Sequence, residues 1–173
     1  MVLPRDYAGQ ACALARTLEV VGERWTLLIV RDAFFGVRRF GEFATHLGLP
    51  RAVLTDRLTA LVDAGVLAKV PGPGRRAEYE LTERGITLWP AIRSLMAWGD
   101  DHYAPTGPHR EFWHAQDGGV LDRDGRCANC ATTIDVADTV VAPGPGLGRP
   151  PDIADPVTVA LTRPHRMLRP LPH

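Results

Sequence analysis

Up to about Tyr103 the apolar residues of this chain recur with helical spacing, and beyond it the pattern turns to short alternating runs. A first helix is predicted over about Asp6 to Val21, with Cys12 near its middle. The segment "ERWTLLIVRDAFF" carries Trp25, Leu27, Leu28, Ile29, Val30, Phe34 and Phe35, so it is apolar nearly all round, as a helix buried on most sides must be. Gly36 should close it. In "FGEFATHLG" Phe40, Phe43 and Leu47 predict a short helix that stops at Gly48. Only Leu49 separates that stop from "PRAVLTDRLTALVDAGVL", where Leu54, Leu58, Leu61 and Val62 fall at i, i+4, i+7 and i+8 between Pro50 and Gly65. Two short helices joined by so tight a turn form a helix-turn-helix, whose second member enters the major groove of DNA.

The alternating segments Val66 to Val70 and Ala77 to Leu81 flank "PGPGRR" and predict a hairpin with an arginine-tipped loop. A helix-turn-helix followed by a hairpin is a winged helix. Thr82 and Glu83 should then open a last helix over residues 83–103, kinked at Pro90. Ten of the fifteen prolines lie between Pro105 and Pro172, which places a boundary at "YAPTGPH". The predicted fold class is therefore mainly α: a winged helix-turn-helix domain over 1–103, then a small β-rich C-terminal module over 104–173. Its strands are expected in "EFWHA", in a hairpin turning at Asp124-Gly125, in "TTIDVADTVV" and in "PVTVALT". The Pro- and Arg-rich end with His165 and His173 reads as poorly packed.

Charge adds a location to this picture. Twenty basic residues balance twenty acidic ones across the 173, which excludes a chain that coats nucleic acid by bulk charge. Between Arg38 and Arg76, however, seven basic residues face three acidic ones. With the leucine stripe buried, the far side of the Pro50–Ala64 helix carries Arg51, Ala52, Thr55 and Asp56, with Arg57 at its edge. Arg51 suits guanine O6 and N7, Ala52 or the Thr55 methyl a thymine methyl, and Asp56 cytosine N4. Arg75 and Arg76 on the loop are placed for backbone phosphates or a narrow minor groove.

The run from Cys12 to Gly99, through "GERWTLLI", "RRFGEF", "VLTDRLTALVDAGVL" and "EYELTERG", resembles the HxlR family of winged-helix transcriptional regulators, relatives of the MarR group. The resemblance implies a homodimer, formed through the first helix and the helix 83–103, that binds a palindromic DNA operator and acts as a repressor, responsive to a small molecule or to a redox signal. It places Arg38 and Arg39 at phosphates and Gly72 to Arg76 in the wing. Pro50, Arg51 and Ala52 stand where the family commonly has Ser and long polar residues, and Asp56 where Gln is common, so the operator should differ. Cys12 matches a family position at which some members sense electrophiles or oxidants, while a small buried residue at the dimer interface is the plainer reading.

Cys127 and Cys130 form a single CxxC, half of a tetrahedral zinc site that His109, His114 or Asp117 would have to complete. On ligand count an unmetallated turn is expected, and no cofactor is expected. Hydrolase, zinc-protease, phosphate-loop and dinucleotide fingerprints are all absent, which argues against an enzyme. A winged helix that binds protein, or a zinc- or thiol-dependent sensor centred on the C-terminal module, are the alternatives to DNA binding. No apolar run is long enough to span a membrane and no leader pattern opens the chain, so a cytoplasmic protein is expected.

Overall fold

The computed structural model describes residues 7–148 and 155–172. Helix α1 runs Ala13–Val21, shorter than predicted: Tyr7 to Cys12 form a turn closed by the Gln10 N–H to the Tyr7 carbonyl, and Asp6 lies outside the described residues. Cys12 is consequently the exposed N-cap residue of α1 rather than a mid-helix position. Helix α2, Thr26–Phe34, is the centre of the core, with Ile29, Val30 and Phe34 fully buried. Helix α3, Phe40–Leu47, opens where the Glu42 carboxylate accepts the backbone N–H groups of Arg38 and Arg39 at 3.2 and 3.0 Å. It ends at left-handed Gly48. Helix α4, Arg51–Asp63, follows Pro50 and sets Leu54, Leu58 and Leu61 into the core, with Val62 partly buried beside them.

The predicted hairpin forms as β1, Leu67–Pro71, and β2, Ala77–Leu81, antiparallel with Leu67 opposite Leu81. Its tip is a turn over Pro73–Arg75, held by the Gly72 N–H on the Arg76 carbonyl at 2.7 Å. The long last helix divides in two: α5, Glu83–Ile86, and α6, Trp89–Tyr103. Pro90 does not kink a continuous helix, because a ring without an N–H is tolerated in a first turn, and α6 begins there.

Beyond α6 the chain builds a three-stranded antiparallel sheet in the order β3, β4, β5, with β3 at Arg110–His114, β4 at Thr139–Pro143 and β5 at His165–Arg166. This sheet shares a hydrophobic core with the helices: Phe112 packs its ring 5.4 Å from Trp89 of α6 and 6.4 Å from Phe35. Two expectations for the tail are corrected. "PVTVALT" contains helix α7, Pro156–Ala160, because the Asp155 side chain accepts the N–H groups of Val157 and Thr158 and Pro156 supplies a helical φ. The C-terminal end is packed: Met167 and Leu171 are buried, and the Leu168 and Leu171 N–H groups bond the carbonyls of Phe34 and Gly36. Gly36 permits this approach, since it has φ of 95° and a Cβ there would lie 1.9 Å from the Arg169 carbonyl oxygen. His173 lies outside the described residues.

Candidate nucleic-acid interface

Because Leu54, Leu58 and Leu61 occupy one side of α4, the helix exposes Arg51, Ala52, Thr55, Asp56 and Thr59 on the other. The Arg51 guanidinium stacks 4.9 Å above the Phe40 ring, so this cation is held at the junction of α3 and α4 by an aromatic face rather than by a carboxylate. Thr55 donates its hydroxyl hydrogen to the Arg51 carbonyl at 2.9 Å. Between α3 and the wing lies a groove of about 580 Å³ whose walls include Arg39, Phe40, Lys69, Arg76 and Tyr79. Arg76 is exposed and has no ion-pair partner among the described residues. For Arg75 the backbone is placed at the wing tip and its side chain lies outside the described residues.

The remaining predicted DNA contacts are turned toward carboxylates of their own chain. Arg38 pairs with Glu80 and donates to the Leu168 carbonyl at 3.1 Å, which ties the start of α3 to the tail. Arg39 meets Glu78 at 3.2 Å and Glu42 at 3.9 Å. Arg57 is half-buried and pairs with Glu23 at 3.2 Å. Each guanidinium has five donors, so Arg39 in the groove wall retains capacity for a phosphate, but its net charge is largely offset.

Sequence reasoning missed a buried polar junction behind this face. Asp32 of α2 is fully buried: Arg31 forks onto its Oδ1 at 2.9 and 2.7 Å, and its Oδ2, without a hydrogen bond, lies 3.9 Å from His46 Nε2. His46 Nδ1 is 3.2 Å from Asp155, the cap of α7. Burial pushes the Asp32 carboxyl above its ordinary range, against the pull of Arg31 and His46. Burial also acts upward on Asp155, but hydrogen bonds from Thr158 and the nearby His46 outweigh it and hold that carboxyl low. The junction pins α7 to α3. A cleft of about 610 Å³ beside it is lined by Arg31, Phe35, His46, Met96, Arg110 and Leu161 among others. The available signal was Asp32 itself, a carboxylate set in an apolar run.

Of the candidate metal ligands, His114, Asp117, Cys127 and Cys130 come together, whereas His109 lies apart, 3.5 Å from Asp100. Asp117 is held low, first by the Gly119 N–H; burial raises the Cys127 thiol, and a hydrogen bond with Thr132 lowers that of Cys130. Arg16, one turn after Cys12, donates to the Tyr7 carbonyl and pairs with Glu19 at 2.9 Å.

A family model described as HxlR-like helix-turn-helix matches residues 20–106. An uncharacterized HTH-type transcriptional regulator of Mycobacterium tuberculosis is 46% identical over 137 residues, 78% of this chain and 87% of the relative. An alignment of that length cannot end at Thr106, so it reaches into the tail. The solved structure of PA1607, described as a transcription factor, is 38% identical with a TM-score of 0.61 and covers 74% of this chain and 92% of that one. The redox regulator HypR in its oxidized form is 29% identical with a TM-score of 0.50, over 53% of this chain and 97% of that one.

Proposed function

Since the chain belongs to the HxlR-like helix-turn-helix family, whose members are transcriptional regulators and not enzymes, we propose that it binds a palindromic operator as a homodimer, with two α4 helices in successive major grooves and two wings on the flanking backbone. The observation that carries this reading is the face of α4: Arg51, Ala52, Thr55 and Asp56 are exposed together at the start of the helix, the end that a recognition helix presents to base edges. The dimer is supported by large apolar residues left in water on the two helices expected to pair: Leu14 and Leu18 on α1, Leu95, Trp98 and Tyr103 on α6. A two-fold dimer asks for a two-fold site, and occupying that site represses by blocking transcription.

The wing supplies position rather than sequence. Arg76→Ala is expected to weaken binding to all duplexes alike and to lower the slope of log K against log salt by about 0.9 per protomer, as loss of one phosphate contact does. Titrating the wild type and the variant on one duplex across a salt series reads this directly; an unchanged slope contradicts it.

Signal input has two candidate places. The cleft beside His46 would take a small effector, and exposed Cys12 at the head of α1 would take an oxidant; the likeness to HypR, named a redox regulator, supports the second. No cofactor is needed for either. No helix among the described residues is long and apolar enough to cross a membrane, in keeping with a regulator acting on DNA in the cytoplasm. One observation favours a second reading, a winged helix that docks protein: Arg38, Arg39 and Arg57 are offset by glutamates. Salt-independent binding to a protein and no retention on DNA would mark that case.

A further inference from the structure

We propose that His114, Asp117, Cys127 and Cys130 form a four-ligand structural zinc site that holds the tail lobe over residues 114–134 against α6. One ligand atom from each of the four lies within 4.8 Å of all the others. Closer in, His114 Nδ1 is 3.0 Å from an Asp117 oxygen, the Cys127 sulfur 3.3 Å from that oxygen, and the Cys130 sulfur 3.7 Å from His114 Nδ1. Ligands bonded to one tetrahedral zinc at roughly 2.0 to 2.3 Å stand about 3.3 to 3.8 Å from one another, so these three separations are close to the edges of that tetrahedron and the remaining ones, within 4.8 Å, need the cluster only to contract on the ion. Two sulfurs, an imidazole and one carboxylate suit zinc's borderline softness and not calcium or magnesium, which ask for oxygen alone. Four protein ligands leave no open position, which assigns a structural rather than a catalytic role.

The local backbone is shaped around the sulfurs. The CxxC turn closes through the Ala131 N–H on the Cys127 carbonyl, and the Asn129 N–H points at the Cys127 sulfur at 3.4 Å, a donor suited to a thiolate. Ala131 has φ of 57°, the left-handed conformation for which such turns ordinarily use glycine, so the chain follows the metal-knuckle path despite a Cβ. Across the site, Gly119 donates to Asp117 at 2.8 Å, and a Cβ there would lie 2.3 Å from the Cys127 sulfur.

The lobe also has little apolar core of its own. Its pairing is limited to isolated bridges, Trp113 to Val120, Leu121 to Cys127 and Arg126 to Thr133, and between Ala115 and Ile134 the buried side chains are Leu121 and Cys127. Segments too small to bury a core of their own are commonly closed by a metal. What the lobe holds is α6: Arg93 donates to the Asp122 carbonyl at 3.2 Å, and Arg123 pairs with Asp101 at 2.7 Å.

The test uses the full chain, reduced and stripped with a chelator, then titrated with zinc against a competing indicator and separately with cobalt(II). One zinc per chain is expected, and the cobalt form should show the strong visible bands of a tetrahedral site with a thiolate-to-metal charge-transfer band. Outer-shell partners typically contribute about 10- to 100-fold to metal affinity, so loss of a direct ligand in Cys130→Ser should weaken zinc by at least roughly 100-fold. Cys130 and Asp117 are exposed, which spares the fold, so Asp117→Asn is a second variant expected to weaken binding, while Cys12→Ser should leave it unchanged. No stoichiometric binding by the reduced chain, an octahedral cobalt spectrum, or affinity undiminished in both ligand variants would overturn the proposal. Metal binding is read without DNA, so this outcome is independent of the operator reading.

Discussion

Thr55→Glu is expected to lower operator affinity by at least 100-fold while leaving the fold intact. Thr55 is exposed on α4, one turn after Arg51, and its hydroxyl satisfies only the Arg51 carbonyl of its own helix. A carboxylate at this place meets phosphates and the acceptor-rich groove edge, where like-charge contact costs several kcal/mol, and about 2.8 kcal/mol is already a hundredfold. It also draws the Arg51 guanidinium, one turn away, off its stack on Phe40 and out of reach of a base. Stability should move by less than about 0.5 kcal/mol, because the position is solvated and Glu is a better helix former than Thr. Fluorescence anisotropy on a labelled operator duplex, with a thermal melt beside it, separates the two effects. Unchanged affinity would remove α4 from the interface.

Phe112→Ala is expected to destabilise the whole chain by about 3 to 5 kcal/mol, a large part of the roughly 5 to 15 kcal/mol typical of a domain. The ring is 1% exposed and sits where the tail sheet meets the helices, against Trp89 and Phe35, with the Arg93 guanidinium 4.3 Å above it. Burial pulls Arg93 below its usual range against the charges of Asp100 and Asp122, and losing the aromatic face removes the ring that covers this cation beside the Leu121 and Asp122 carbonyls. Since the same core runs through both parts, tryptophan fluorescence and helical circular dichroism should unfold together at a lower denaturant midpoint. Two separated transitions, with the helical one unmoved, would show that the tail folds by itself.

The elements that the sequence specified most sharply are those in which local signals agree. In α4 the leucine stripe, Pro50 before it and Gly65 after it all set the same bounds, and in the wing two alternating segments bracket a Pro-Gly loop. The misread elements are those where one local bond or a distant partner decides. "VTV" has the composition of a strand, yet two N–H bonds to Asp155 and a proline at the first position make it α7. Met167 and Leu171 looked unplaced because their burial depends on distant backbone partners: the Met167 N–H bonds the Thr139 carbonyl of β4, and the Leu168 and Leu171 N–H groups bond the Phe34 and Gly36 carbonyls at the end of α2.

The candidate sites divide the same way. Exposure of Arg51, Ala52, Thr55 and Asp56 follows from helical geometry and was legible. Pairing of Arg38 with Glu80, and of Arg39 with Glu78, depends on the wing folding back on α3 and was not. The CxxC was visible, but which of His109, His114 and Asp117 stands beside it was decided by the turn at the end of β3.

The central claim is that the exposed start of α4, doubled by two-fold symmetry, reads DNA. Selection of bound sequences from a random duplex pool with the full-length chain tests it most directly. The account predicts enrichment of a palindrome whose half-sites lie about one helical turn apart, roughly 10 base pairs or a multiple of it, with Arg51→Ala relaxing preference at one base pair in each half-site. A pool that does not enrich, or a single asymmetric motif unaffected by Arg51→Ala, would contradict it.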